Sequence, residues 1–193
     1  LDGTRVVRVA PDGRMFAVVN RQGIPFPPSG DGVPAIDATL NAPQGGLTLD
    51  RAGNLYIAET TTHRIRKVSP DGLISTAVGS GPPMGPGGFA GDGGRAIEAR
   101  LDHPSDVVVD RFANMYILDA GNRRIRKVTP DGIIRTLVVI NSIPPFSQLS
   151  VDSAGNVYFA DPAGKRIQRI AADGGMTAVA GTGEPGYSGD GGR

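Results

Sequence analysis

The sequence predicts an all-β fold, a β-propeller of four-stranded antiparallel blades, and its internal repeats are the main reason. The segment Gly53–Glu59 recurs as Ala113–Asp119 and again as Gly155–Asp161, each time with a tyrosine at its centre. A basic and apolar run follows each copy, and the tyrosines lie 60 and 42 positions apart. Self-similarity of this kind is typical of repeat architectures. Each period is therefore one structural unit, and the longer period contains an 18-residue insertion.

Each unit contains four short apolar runs separated by turn signals. Valine, isoleucine, leucine and tyrosine fill runs of about four to seven residues, which favours strands over helices. Asp-Gly turns such as Asp71-Gly72 join the third and fourth runs, because glycine accepts a positive φ. Four antiparallel strands in every period indicate propeller blades, whereas a solenoid or a β-sandwich explains them less simply. The predicted strands of the complete units are Leu47–Asp50, Asn54–Glu59, Arg64–Ser69, Leu73–Val78, Val107–Asp110, Asn114–Asp119, Arg124–Thr129, Ile133–Val139, and Leu149–Asp152 through Met176–Ala180.

Residues 1–193 are predicted to form a single partial propeller of about three and a half blades. At the start of the chain, Arg5–Ala10 and Met15–Val19 match only the third and fourth strands of a blade. Closed propellers have roughly four to eight blades, and open sheet edges favour aggregation. We therefore expect further blades in a longer protein, or self-association that completes the ring. The predicted boundaries are a half blade at 1–20, blades at 21–78, 79–139 and 140–180, and the start of an inter-blade loop at 181–193.

The composition is that of a globular protein with no strong electrostatic preference. Twenty basic and 19 acidic residues give a formal charge of +1, which argues against a polyanionic partner bound by bulk charge. The chain has no cysteine, so it has neither disulfides nor a thiolate metal site. No apolar run approaches the roughly 18–20 residues that span a bilayer, so no membrane span is predicted.

Long glycine-rich insertions precede the second and third blades, at Arg21–Gly46 and Gly79–Asp106, and another begins at Gly181. Their apolar spacing predicts one or two helical turns. Connections between antiparallel strands alternate between the two ends of a sheet, so the insertions share one face with the loops that join second and third strands. We call this the long-loop face and predict the binding surface there, since long ordered loops are usually functional. Matching pairs 61 positions apart are Asp31/Asp92, Ala35/Ala96, Leu40/Leu101 and Pro43/Pro104.

The blade pattern resembles the NHL repeat, a family of propeller blades. Pro104–Asp110, Asn114–Asp119 and Gly121–Ile125 carry the resemblance, which extends over essentially the whole chain. The motif Gly181–Gly192 is similar to the variant found in bacterial secreted or envelope proteins, and to one in the extracellular propeller of teneurin-type adhesion receptors. The fourth blade departs from the pattern at Asp161–Gly164 and lacks the preceding insertion.

This resemblance implies a ring of six blades, about half of which lies in this chain. It also implies a scaffold whose members bind proteins, RNA or small ligands, and an extracellular or periplasmic location. Fold analogy by itself assigns no function.

Basic residues cluster at the third strands, where 12 of the 20 lie. One interpretation is a basic ring that binds phosphate or an acidic partner. The other is structural, and we favour it because both partners of a predicted ion pair recur in every blade. Arg64, Arg124 and Arg166 are predicted to pair with Glu59, Asp119 and Asp161, respectively. Aromatic residues make up 5% of the chain, so stacking platforms for nucleic acid are scarce and nucleic-acid binding is disfavoured.

We predict no catalytic residues, no metal and no cofactor. His63 and His103 are the only histidines, whereas catalytic zinc usually has about three protein ligands. One aspartate in each insertion, Asp31, Asp92 or Asp190, supplies too few of the roughly six to eight oxygens around calcium. The glycine pattern that begins at Gly181 matches a dinucleotide fingerprint, but no helix or strand–helix alternation surrounds it.

The sequence therefore favours a non-enzymatic scaffold that binds a protein or a small ligand on its long-loop face. Two alternatives remain open: a propeller-fold lyase or hydrolase with its catalytic residues in other blades, and an RNA-binding NHL propeller. The residues predicted to border the binding surface are Glu59, Thr62, His63, Asp92, Asp119, Asn122 and Arg123.

Overall fold

The protein is an all-β propeller arc, as predicted. The computed structural model describes residues 5–20, 30–41, 45–81, 85–141 and 147–186. In these ranges the chain forms strands and single turns of 3₁₀ helix, with no α-helix. No helix in the described ranges is long and apolar enough to cross a membrane.

Blades 1 and 2 are antiparallel sheets of two and five strands. Blade 2 has the four strands that its repeat predicts, plus a short fifth strand from its insertion that pairs with the outermost one. Their strands are β1 (Val6–Val9), β2 (Met15–Val19), β3 (Val33–Pro34), β4 (Leu47–Leu49), β5 (Leu55–Glu59), β6 (Arg64–Val68) and β7 (Leu73–Val78).

Blades 3 and 4 are antiparallel sheets of four consecutive strands each. The first strands of blades 2, 3 and 4 contact one another in turn, which places them on the inside of the arc. The remaining strands are β8 (Pro104–Val109), β9 (Met115–Asp119), β10 (Arg124–Val128), β11 (Ile134–Val139), β12 (Leu149–Val151), β13 (Val157–Asp161), β14 (Arg166–Ile170) and β15 (Met176–Ala180).

The strand bounds agree with the predicted ones to within one residue, except at β8. This strand begins at Pro104 rather than Val107 and has an irregular register before Asp106. The Asp106 carboxylate accepts hydrogen bonds from the N–H groups of Val107, at 2.9 Å, and of Leu149 in blade 4, at 2.6 Å. Burial raises the pKa of Asp106 against the opposing effect of these hydrogen bonds.

The hydrophobic core consists of three layers, each between two adjacent blades. Both faces of blades 2 and 3 are therefore buried, which removes the polar–apolar alternation expected of a half-exposed strand. Ile57 and Val68 face blade 1, for example, whereas Ala58 and Ile65 face blade 3. The third layer joins blade 3 to blade 4 through residues such as Phe159.

The insertions contribute to the first two layers. The predicted helical segments are single 3₁₀ turns, Ala35–Asp37 and Ala96–Glu98, rather than longer helices. They lie between the blades and not on the surface. Their small apolar residues are almost fully buried: Ala35, Ala38 and Leu40 in one insertion, and Ala96, Ala99 and Leu101 in the other.

An aspartate closes the turn between the first and second strands of each complete blade. In blade 3, Asp110 accepts hydrogen bonds from Asn114 N (2.9 Å), Asn114 Nδ2 (2.8 Å) and the Tyr116 hydroxyl (3.1 Å). The same triads recur in blades 2 and 4 as Asp50–Asn54–Tyr56 and Asp152–Asn156–Tyr158. The recurring tyrosine of the repeat is thus a structural hydrogen-bond donor.

We expect Asp110→Ala to lower the free energy of unfolding by roughly 1–3 kcal/mol, because it leaves the backbone and side-chain N–H groups of Asn114 without this acceptor and leaves the Tyr116 hydroxyl with only the Gly155 carbonyl. Urea denaturation provides the measurement. The control is Asp71→Ala at an exposed Pro-Asp-Gly turn, which should cost less than about 0.5 kcal/mol. Equal effects of the two substitutions would contradict the structural role assigned to Asp110.

Candidate functional site

The insertion of blade 3 is fixed to its blade by the buried guanidinium of Arg126. Nη2 of Arg126 lies 2.6 Å from Oδ1 of Asp92 and donates to the carbonyl of Ala90 at 3.1 Å. Nη1 donates to the carbonyl of Arg100 at 2.9 Å and lies 3.8 Å from Oδ2 of Asp119. One side chain therefore joins the insertion to the end of β9.

Blade 2 contains the same arrangement around Arg66. Its Nη2 lies 3.1 Å from Oδ1 of Asp31, and its Nη1 lies 3.6 Å from Oε2 of Glu59. The hydroxyl of Thr76 donates to Asp31 at 3.0 Å. The repeated aspartates of the insertions are thus ion-pair partners, a role that the sequence analysis did not assign; Asp190 lies outside the described residues.

The predicted ion pairs of Arg64, Arg124 and Arg166 are wrong, although the cross-strand register places each opposite its predicted partner. Arg64 donates to the carbonyl of Gly81 at 2.5 Å, and Arg166 donates to that of Thr182 at 3.2 Å. Arg124 stacks 4.0 Å from the ring centre of Phe89. The carboxylates pair with the arginine two positions further along in blades 2 and 3, because that side chain is buried at the blade junction beside them.

Insertions and second-to-third-strand loops meet on one face, as predicted. Backbone N–H groups at the ends of the two insertions donate to the carboxylates: Asn41 to Glu59 at 2.6 Å, and Asp102 to Asp119 at 2.7 Å. The Asn122 side-chain amide donates to Asp119 and to an insertion carbonyl, both at 2.8 Å. These contacts fix the loops to one another.

Burial of Asp119 has an electrostatic consequence. Its side chain is fully buried, and desolvation raises the pKa of the carboxyl to about 6. The hydrogen bonds from Asp102 and Asn122 and the charge of Arg126 act in the opposite direction.

The two histidines, which the sequence analysis treated separately, lie together with Asp102 between blades 2 and 3. The rings of His63 and His103 pack edge to face with centres 4.6 Å apart. Nδ1 of His103 lies 2.6 Å from Oδ1 of Asp102, and the potential ligand atoms of all three residues lie within 4.8 Å of one another. However, Nδ1 of His63 accepts the His103 backbone N–H at 3.0 Å, and its ring also hydrogen-bonds to the backbone of Gly85. These bonds satisfy His63 without an ion, and burial lowers its pKa.

The seven predicted site residues fall into two groups. Glu59, Thr62, His63 and Asp119 are buried, so they hold the loops in place beneath the surface. Arg123 is exposed, whereas Asp92 and Asn122 are partly exposed and their side chains also bind the loop network. Beside the second group lie two exposed side chains that the sequence analysis did not select, those of Phe89 and His103.

The repeats contain a signal that would have identified the two arginines that fix the insertions to their blades. Arg66 and Arg126 occur in the blades whose insertions contain Asp31 and Asp92, whereas blade 4, which lacks the insertion, has Gln168 at the equivalent position. Aligning the repeats by presence of the insertion would have predicted these pairs. Asp102 carries no such signal, because its role depends on contacts between adjacent blades.

Comparison with known proteins agrees with the repeat pattern. The family model for the teneurin NHL domain matches residues 6–85 and 81–153. The chain belongs to the NHL-repeat family.

Relatives are about a third identical to this chain over the matched segments. Human teneurin-1 is 36% identical over 116 residues, which is 54% of this chain and 4% of teneurin-1. Mouse teneurin-3 is 33% identical over 128 residues, 64% of this chain and 4% of that protein. Cattle NHL repeat-containing protein 2 is 35% identical over 95 residues, 46% of this chain and 13% of that protein. The chain thus matches only a small part of these relatives.

Solved propellers have the same fold. A streptogramin B lyase aligns with a TM-score of 0.57 at 14% identity, covering 93% of this chain and 49% of that chain. A nidogen/laminin complex aligns with a TM-score of 0.53 at 17% identity, covering 80% and 60%, respectively. At such identities the likeness establishes the fold alone.

We expect Arg126→Gln to lower the free energy of unfolding by about 3 kcal/mol, because it removes the cation beside buried Asp119 and the donor to the insertion carbonyls. The matched control is Arg95→Gln, which removes an exposed ion pair with Glu98 and should cost less than about 1 kcal/mol. Denaturant titration measures both. If Arg126→Gln lowers the free energy of unfolding by no more than Arg95→Gln does, Arg126 does not fix the insertion to its blade.

Asp119 should also make stability depend on pH. Its pKa is raised in the folded protein, so on raising the pH from about 4 to 6 the unfolded chain releases this proton first. The contribution of Asp119 to the free energy of unfolding should then fall over this window by up to about 3 kcal/mol. Denaturation of the wild type and of Asp119→Asn across pH 4–7 tests this. A wild-type minus variant difference that stays constant or rises with pH would contradict it.

Proposed function

We propose that this chain is a non-enzymatic NHL propeller scaffold that binds a protein or a small ligand on its long-loop face. The supporting observation is the buried hydrogen-bond and ion-pair network that fixes the insertion of blade 3 to the neighbouring loops. Side chains on a pre-organised surface lose little conformational freedom on binding, which favours affinity.

In this proposal the seven predicted residues have two roles. Asp92, Asn122 and Arg123 contact the partner, while Glu59, Thr62, His63 and Asp119 position the loops from beneath. The exposed ring of Phe89, held against Arg124, adds an aromatic anchor of the kind that is enriched in binding hot spots. A guanidinium, a carboxylate and an aromatic ring on one rigid face suit a protein partner better than a nucleic acid, which requires several stacking platforms.

Several finer features belong to the same proposal. We propose an extracellular or periplasmic location, supported by the resemblance to teneurin propellers. A bacterial secreted type rests on the motif at Gly181–Gly192 alone, since the matched relatives named above are from animals. The blade boundaries given above, the ring of six blades and self-association to complete the ring also remain proposals. Sedimentation velocity of the purified chain would detect a dimer.

The alternatives lead to different measurements. An RNA-binding propeller should show RNA affinity that falls steeply between two salt concentrations. A lyase or hydrolase with its catalytic residues in other blades would turn over substrate only as the longer protein. Metal analysis and an activity screen of that protein would reveal it.

We expect Arg123→Ala to weaken binding about tenfold in a binding screen against purified receptor ectodomains, with little change in thermal stability, because this side chain is exposed. The matched control is Arg111→Ala, an exposed arginine in the β8–β9 turn on the opposite face, which should leave binding unchanged. Asn122→Ala should weaken binding and also lower stability, because Asn122 hydrogen-bonds to two loops. Equal loss of binding in Arg123→Ala and Arg111→Ala would exclude the long-loop face.

A further inference from the structure

The junction between blades 3 and 4 differs from the other two junctions. At those, an insertion places its alanines and a leucine between the sheets. At the third, no equivalent segment occurs among the described residues, and Ile140 is the part of the link that joins the core. A groove of about 310 Å³ opens there instead. Its described lining residues include Val139, Phe159, Asp161, Gly164 and Met176.

The outer edge of blade 4 is also uncovered among the described residues. In blade 2, Gly32 N donates to the carbonyl of Ile74 at 2.8 Å, and β3 adds a strand to that edge. In blade 3, Ile134 exchanges hydrogen bonds with the insertion at 3.0 and 2.7 Å. The equivalent residue of blade 4 is Met176, which pairs with Ile170 as the other two pair with Val68 and Val128. Both isoleucines are fully buried, whereas Met176 is 47% exposed.

The residues that hold the insertion aspartates are replaced in blade 4. Oδ1 of Asp31 is bound by Arg66 and by the hydroxyl of Thr76. The equivalents of those two residues in blade 4 are Gln168 and Ala178, which face each other across β14 and β15. Neither carries a charge, and the Gln168 amide lies 3.4 Å from Oδ2 of Asp161. A segment bound in this groove would therefore meet no cation that could pair with a carboxylate at the position equivalent to Asp31.

We propose that this groove binds an extended segment of a partner protein, which adds a strand to the outer edge of β15. The site lies at the blade 3–4 junction and does not depend on the proposed function above. Backbone groups of Met176 pair with the segment, as those of Ile134 pair with the insertion in blade 3. Small apolar side chains then pack against Val139, Phe159 and Met176. A neutral residue faces Gln168, which distinguishes this segment from the insertions of the chain itself.

The chain supplies the template for a test peptide. In blade 2, residues 30–40 (GDGVPAIDATL) pair with the outer strand and pack their apolar side chains at the blade junction. One fluorescent peptide has this sequence and a second carries Asp31→Asn. Fluorescence anisotropy with the intact chain measures the affinity of each. We expect the Asp31→Asn peptide to bind the wild type about tenfold more tightly than the peptide with Asp31. The double variant Gln168→Arg, Ala178→Thr, which restores the blade 2 residues, should reverse this preference.

Two substitutions in β15 make the test specific to the groove. Met176→Lys places a charge in the groove and should weaken binding of the Asp31→Asn peptide at least tenfold. Val179→Lys lies on the opposite face of the same strand, at similar exposure, and should leave affinity unchanged. Amide hydrogen exchange of Met176–Ala180 should slow when peptide is added. Absence of binding by both peptides, equal effects of the two lysines, or a preference that does not change in the double variant Gln168→Arg, Ala178→Thr would overturn the proposal.

Discussion

The fold depends on two buried arginine–carboxylate clusters, centred on Arg66 and Arg126. An isolated buried guanidinium costs several kcal/mol, so each arginine requires the insertion aspartate, the strand-end carboxylate and, for Arg126, two backbone carbonyls. Because these partners come from both the blade and its insertion, the charge can be satisfied only when the insertion is seated. The buried alanines and leucine that follow the aspartate in each insertion then lie between two sheets.

The aspartate–asparagine–tyrosine triads act at the opposite face. They close the turn between the first two strands of each complete blade and leave only short connections there. The molecule therefore has one face of tight turns and one face of long, fixed loops. This asymmetry makes the long-loop face suitable for recognition, because its loops are anchored to one another and to the blades.

Blade 4 lacks the arginine of these clusters, and its junction with blade 3 differs accordingly. With glutamine in place of arginine and a short link in place of the insertion, the edge of β15 and the neighbouring groove are exposed. The same repeat thus provides two kinds of junction. One is closed by the insertion of the chain itself, and the other offers backbone hydrogen-bonding groups and apolar surface to a partner.

The sequence alone determined the blades, because periodic apolar runs and Asp-Gly turns are local signals that each repeat confirms independently. It also predicted the shared face of the loops, which follows from strand alternation. It did not predict that Arg126 rather than Arg124 pairs with Asp119, or that His63 and His103 are in contact. Those facts depend on which side chains two adjacent blades bury between them. Burial at an interface between sheets is set by tertiary packing, whereas the signals that form each sheet lie within a few residues of one another.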